Sequence, residues 1–465
     1  MEGKILDQET TAEQNPTNIQ IANTRSKRKY DIIIIGASGY TGRHVTMEMG
    51  RLSQTYNLTW AVAGRNIKKL QDILNELYMT LDGYEDKKID IIYANLYDFE
   101  TIMKMTQTTS VVINCTTPYY IFGEVVVKSC VLTSTHYVDV TGEPLFMEKM
   151  AYKYDEQAEK NNSIIVSGVD VESVPSDLGV EFLFQHFNGE LKNVDMYKYV
   201  YLSKIIFTVG GMIHHSIWIS FLLHLATKKR RLYYRNLLDE LMGIIRIKPT
   251  VSKLFHKQQL SMQTDHKTWC LACPEPDQAV VTRSIHHAKT KERLPYNFNA
   301  RGYRVVSGLI PGILGLLMFL FLSILVIIQP IRSLFVQLPT FFTFGVSTSC
   351  GPSEKFMKNL CLTLTLIGYG TTSVKHPTID PNNEKNDITA RKKTIATVEI
   401  KNTNEFTSKA VILGAVTIIK DQINIPKGGV LTPAAAFRNT KFVERLMNHD
   451  AAVFKVESDL VTYSQ

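Results

Sequence analysis

Gly36, Gly39 and Gly42 recur at intervals of three, directly after four consecutive isoleucines at 32–35. A glycine-punctuated turn between an apolar strand and a helix leaves main-chain amides for an anion, at the end where the helix dipole is positive. The spacing suits a diphosphate. Gly36 permits the tight turn, Gly39 lets backbone approach the pyrophosphate, and Gly42 lets helix and strand pack closely. Ala37, Ser38, Tyr40 and Thr41 complete the expected cradle. Three further strand ends supply the rest of a dinucleotide site. Residues 59–63 end at Gly64 and Arg65. An acidic residue there would take the ribose hydroxyls of NAD, whereas a guanidinium suits a 2′-phosphate, so NADP is expected over NAD. Residues 89–93 end near Asn95, and residues 110–115 end at Thr116 and Thr117, which are expected over the nicotinamide ribose.

Hydride transfer to a carbonyl also needs a proton donor. No tyrosine from Tyr93 to Tyr201 has a lysine four residues on, which argues against the Tyr-x-x-x-Lys solution there. Tyr119, Glu143, Asp170 and Glu172 fall near strand ends, and His214 and His215 follow the glycine pair at 210–211. Each of these residue types caps or hydrogen-bonds more often than it catalyses, so no catalytic residue is assigned. Cys270 and Cys273 have the spacing of half a zinc site, but no second pair accompanies them, and no metal site is expected.

These residues need a scaffold of alternating strands and helices. The isoleucine run has no polar alternation, as in a strand buried on both faces. Short apolar runs recur at 59–63, 89–93, 110–115, 136–140 and 163–167, with helical patterns such as 67–77 between them. The economical reading is an α/β fold with a doubly wound parallel sheet. Residues 1–29, polar with a basic cluster at Arg25, Lys27, Arg28 and Lys29, read as a disordered tail. We expect the sheet domain over 30–179, a central α+β domain over 180–350 and a C-terminal segment over 351–465. Strands are expected at 193–202, 360–370 and 395–401, and helices at 217–226, 409–420 and up to Met447. The apolar helix at 217–226 carries a basic end at 228–231, which fits a membrane interface or a buried helix with a solvated end.

Residues 309–328 form an uncharged run between Arg304 and Arg332, and fifteen of the twenty are Leu, Ile, Phe or Val. Such a run favours lipid by about 5–8 kcal/mol before glycine and proline are discounted, and it is long enough for a transmembrane helix. Monotopic insertion and burial between domains are the alternatives. At 465 residues the chain needs two or three domains, and a net charge of +8 suits an anionic cofactor or membrane rather than nucleic acid. Six scattered cysteines and a polar start without a secretory leader point to free thiols facing the cytosol.

Taken together, GASGYTG (36–42), WAVAGRN (60–66), VVINCTTPYYIFGE (111–124), YVDVTGE (137–143), SVPSDLG (173–179), GPSEKF (351–356) and GGVLTPAAAF (428–437) resemble the saccharopine dehydrogenase-like oxidoreductase family. The resemblance implies an N-terminal Rossmann domain, a central α+β domain and a C-terminal segment that returns to the first. It implies an NAD(P)-dependent oxidoreductase, linked in animals with lipid droplets and membranes and related in microbes to trans-acting enoyl reductases of glycolipid synthesis. Four positions depart from the family pattern: Asn95, Thr117, the run Asp170-Val171-Glu172, and Ser216-Ile217. The expected function is therefore a cytosol-facing reductase on a lipid droplet or membrane, binding NADP(H) and a lipid-like substrate. A catalytically weakened cofactor-binding adaptor and a lysine-catabolic enzyme are the competing expectations, and the oligomeric state stays open.

Overall fold

The computed structural model describes residues 28–84, 88–204, 211–243, 260–263, 268–272, 277–375 and 387–462. The expected tail up to residue 27, Gly210, Cys273 and the polar loop at 377–386 lie outside them. The first half runs β1 (Tyr30–Ile35), α1 (Tyr40–Tyr56), β2 (Trp60–Gly64), α2 (Ile67–Thr80), β3 (Asp90–Tyr93), α3 (Phe99–Gln107), β4 (Thr109–Asn114), α4 (Tyr119–Leu132), β5 (His136–Asp139), α5 (Pro144–Lys160), β6 (Ile164–Val166) and α6 (Val174–His186). The middle adds β7 (Glu190–Leu202), β8 (Ile213–His214), α7 (His215–Ala226), α8 (Lys228–Leu241), β9 (Leu260–Gln263), β10 (Thr268–Ala272), α9 (Asp277–Thr290) and β11 (Asn299–Val306). Next come α10 (Leu309–Leu325), α11 (Gln329–Gln337), α12 (Pro339–Phe342), β12 (Ser347–Thr348) and α13 (Glu354–Met357). The chain closes with β13 (Leu360–Lys375), β14 (Asp387–Ile400), α14 (Thr403–Lys420), β15 (Gly429–Leu431), α15 (Pro433–Phe437), α16 (Phe442–Asn448) and β16 (Val453–Thr462).

Seven parallel strands in the order β15-β6-β5-β4-β1-β2-β3 form the Rossmann sheet. The isoleucine run explains its centre. Ile32 and Ile34 pack under α1, α2 and α14, while Ile33 and Ile35 pack under α3, α4 and α5. A strand with both faces covered has no use for polar alternation. The C-terminal segment does return, because β15 pairs with β6 and α14 lies on α1.

The second sheet has the order β16-β14-β13-β7-β11-β10-β9, antiparallel except for β7 beside β11. The boundary expected at residue 179 lies inside α6, which continues to His186 and packs on β13 and β14.

Three expectations are corrected. Arg28 is no part of a loose tail: its guanidinium donates to the carbonyl oxygens of Thr106, Thr109, Thr133 and Ser134 and to the Thr135 hydroxyl, tying down the chain just before β1. Residues 228–231 open α8 instead of ending α7. The apolar run is not one continuous helix: by length and composition α10 and α11 pass as a membrane-crossing candidate only as a pair bent at the break between them. The helix stops at Leu325 and turns by 116° into α11, and among the described residues no single helix is long and apolar enough to cross a membrane. Pro330 starts α11, and the Arg332 guanidinium donates to the Val326 carbonyl at 3.3 Å, satisfying a carbonyl just past the end of α10.

Candidate functional site

The phosphate turn closes on itself through glycine. Gly36 has a φ of +82°, and a Cβ there would sit 2.8 Å from Thr116 Cγ2, so the turns after β1 and β4 touch. A Cβ on Gly42 would fall inside the van der Waals shell of the Gly36 carbonyl oxygen, and this sets how closely α1 approaches the turn. The Gly39 amide donates to Gly36 O at 3.0 Å. No side chain caps the amino end of α1, and its first turn holds no acidic residue. Uncapped amides, a positive dipole end and a turn with glycine at 36, 39 and 42 fit a diphosphate.

Arg65 is exposed at the carboxyl end of β2, beside β1, while Asn66 Oδ1 accepts from Lys69 N and caps α2. Gly36, Arg65, Asn95 and Thr116 thus follow the carboxyl ends of four adjacent parallel strands, at one edge of the sheet. Asn95 shapes its own turn, its Oδ1 accepting from Tyr97 N and its backbone amide donating to Thr101 Oγ1. Thr117 is exposed. Thr116 is held from beneath: Asn114 Oδ1 accepts from its amide at 2.9 Å and from its hydroxyl at 2.6 Å.

A buried network that sequence reasoning missed supports this loop. Asn114 Nδ2 donates to Tyr137 Oη, and Tyr137 Oη donates to Asp139 Oδ2 at 2.8 Å. Asp139 also accepts from Ser167 Oγ and from the amides of Thr141 and Gly168. Three adjacent strand ends are tied to one carboxylate. Burial pushes the Asp139 carboxyl up to about 6, against the four donors that favour its charged form. Its only sequence signal was its place in the YVDVTGE run.

The acid–base candidates are engaged in holding the backbone. Glu143 accepts from the amides of Tyr119 (3.1 Å) and Tyr120 (2.8 Å), capping α4 where Pro118 cannot, and burial raises its carboxyl. Tyr119 Oη donates to Asn114 O, and burial lifts it well above the ordinary phenol range. Asp170 Oδ1 accepts from the amides of Glu172 and Ser173 at the start of α6; burial, then the neighbouring Glu172, pushes it well up. Glu172 faces Lys198, whose charge holds it low, and Lys198 pairs at 2.5 Å with buried Asp277. His215 Nε2 meets Thr340 Oγ1.

His214 does reach the cofactor turn. Its ring stacks on Tyr40 with centroids 5.2 Å apart and planes 15° apart, and burial lowers its pKa. Gly351 closes over the same ring, since a Cβ on it would sit 3.0 Å from Tyr40 Cε2. Helix α7 starts at this stack, and further along its Ser220 Oγ donates to Glu143 at 2.8 Å. The other side of α7 carries the hairpin: Trp218 and Leu222 form an apolar cluster with Val326 and Phe335, and Trp218 Nε1 donates to Phe335 O at 3.1 Å. Only Trp218 and Leu222 of α7 are buried, and Ile217 is exposed, so one side of the helix packs within the protein. Cys270 is buried, and no cluster of three or more metal-binding side chains occurs among the described residues.

Comparison with known proteins bears on the family and the fold. The family model described as the saccharopine dehydrogenase NADP binding domain matches residues 32–166. A rat saccharopine dehydrogenase-like oxidoreductase is 30% identical, covering 91% of this chain and 96% of the rat protein. A Caenorhabditis elegans lipid droplet localized protein is 29% identical, covering 93% and 99%. The solved structure of apo saccharopine dehydrogenase (L-Glu forming) from Saccharomyces cerevisiae superposes with a TM-score of 0.52 at 12% identity, covering 93% of this chain and 100% of the yeast chain, a likeness of fold.

Proposed function

This chain belongs to the saccharopine dehydrogenase-like oxidoreductase family, and on that premise we propose that it reduces a lipid-like substrate with NADPH at the surface of a lipid droplet. The observation that carries the reading is the uncapped, acid-free amino end of α1 beside exposed Arg65. A bound nicotinamide would supply the hydride. The chain's own residues bind and orient. The amides of the first turn of α1 take the diphosphate, and Arg65 takes a 2′-phosphate by charge-assisted hydrogen bonds. Thr116, fixed by Asn114 and Asp139, positions the nicotinamide side of the cleft. The lipid droplet surface is supported by the worm relative's name and by the exposed apolar α10.

A second reading, a cofactor-binding adaptor without turnover, is favoured by the engagement of Tyr119, Glu143 and Asp170 in capping and turns. The two readings part on one assay. Full-length protein is given NADPH and droplets carrying either α,β-unsaturated or keto acyl lipids, and absorbance of the reduced nicotinamide is followed. Consumption of NADPH with matching lipid product supports the reductase, whereas saturable NADPH binding without consumption supports the adaptor.

A further inference from the structure

Helix α10 has no polar face. From Leu317 to Phe321 five successive side chains are 45–59% exposed, and at about 100° per residue they go fully round the helix. An interfacial amphipathic helix keeps a charged face toward water. Here no charge lies between Arg304 and Arg332, and the one hydroxyl within α10, Ser323, donates to Phe319 O at 2.7 Å. A helix that is apolar all round belongs in hydrocarbon. Yet both of its ends are fastened to the same folded body. Leu309 follows β11 of the second sheet after two residues, and Val326 is buried on α7. At 17 residues α10 is about 25 Å long, short of the roughly 30 Å of a bilayer core, and α11 turns away by 116°.

We propose that α10 and α11 enter a single phospholipid monolayer over neutral lipid and leave it on the same side, with α7 holding the cofactor cleft at that monolayer. The proposal rests on the lipid-surface part of the function above and specifies its partner. Insertion from one side expands one leaflet only. A bilayer opposes this through its second leaflet, whereas a monolayer on fluid neutral lipid has none to strain. The exposed Lys228 and Lys229, which open α8 just after α7 ends at Ala226, complement headgroup phosphates. Because α7 touches Tyr40 through His214 and Glu143 through Ser220, the cleft stands beside the leaflet that would hold an acyl substrate.

The test is flotation of full-length protein with triolein droplets coated in phosphatidylcholine, against phosphatidylcholine liposomes. Wild type should float with droplets and leave liposomes largely unbound. Leu317→Asp, Phe321→Asp and Ile324→Asp together, all at exposed positions, should lower droplet partitioning by about 100-fold or more while NADPH binding is retained. In a Cys350→Ser background, Ser307→Cys and Gln337→Cys should both react with a water-soluble maleimide while droplet-bound, read by peptide mass. Equal flotation with liposomes, undiminished flotation of the triple variant, or protection of either reporter cysteine overturns the proposal. If wild type instead floats as stated but binds no NADPH, the reductase reading fails and this one stands.

Discussion

At the carboxyl end of the parallel sheet, most buried polar groups are spent on holding loops, and the donors left over are main-chain amides together with the partnerless Tyr40 and Ser173 hydroxyls. Asp139 alone takes four hydrogen bonds, Glu143 takes three, and the first turn of α1 keeps its amides uncapped. Helix α10 is the reverse: its one hydroxyl, Ser323, is satisfied by its own backbone, and what remains exposed is Leu, Ile, Met and Phe. Each region leaves unpaired the kind of surface its partner supplies, charge for the first and hydrocarbon for the second. Function is legible in such remainders because elsewhere burial and pairing leave few of them.

The contrast can be broken at its strongest point first. Gly42→Val should lower NADPH affinity by more than about 100-fold, since its side chain cannot fit against Gly36 O without moving α1 off the turn. Fluorescence titration measures the loss, and circular dichroism checks that the fold persists. Trp218→Ala removes the shared anchor of hairpin and α7 and should cost about 3–5 kcal/mol of local packing. Limited proteolysis should then cut near 326–337 faster, with NADPH affinity little changed.

Asp139→Asn separates burial from pairing. Because the folded carboxyl titrates near 6 instead of 3.8, its contribution is fully present below pH 3.8 and is lost as pH rises through 6. Wild type should therefore lose up to about 3 kcal/mol relative to the variant between pH 4 and 7, read as the difference in their melting temperatures. The smallest effect is the most selective. Arg65→Ser should weaken NADPH binding by about 10-fold or somewhat more and leave NADH unchanged.

The sheet was readable because its signals are local. Four isoleucines need two covered faces, and Gly36, Gly39 and Gly42 need a turn, whatever the rest of the chain does. What escaped reading depends on distant partners. Arg28 looks like any tail arginine until carbonyls from 106 to 134 gather round it. β13 runs to Lys375, past the expected 370, because β14 pairs with it to the end. The apolar run announced lipid by composition, but its bend comes from Pro330, Arg332 and the packing of Val326 on α7, so the count of apolar residues overstated the helix. At the site, glycines and strand ends were visible, whereas Asp139 was not, since a single carboxylate in a strand shows nothing of its four donors.

The most direct measurement is a fluorescence titration of the full-length protein with NADPH and with NADH, alongside Gly42→Val. A saturable signal, tighter for NADPH than for NADH and absent in the variant, is the expected result. No signal from either nucleotide, or an NADPH affinity that Gly42→Val leaves intact, would contradict a dinucleotide held by the turn at 36–42.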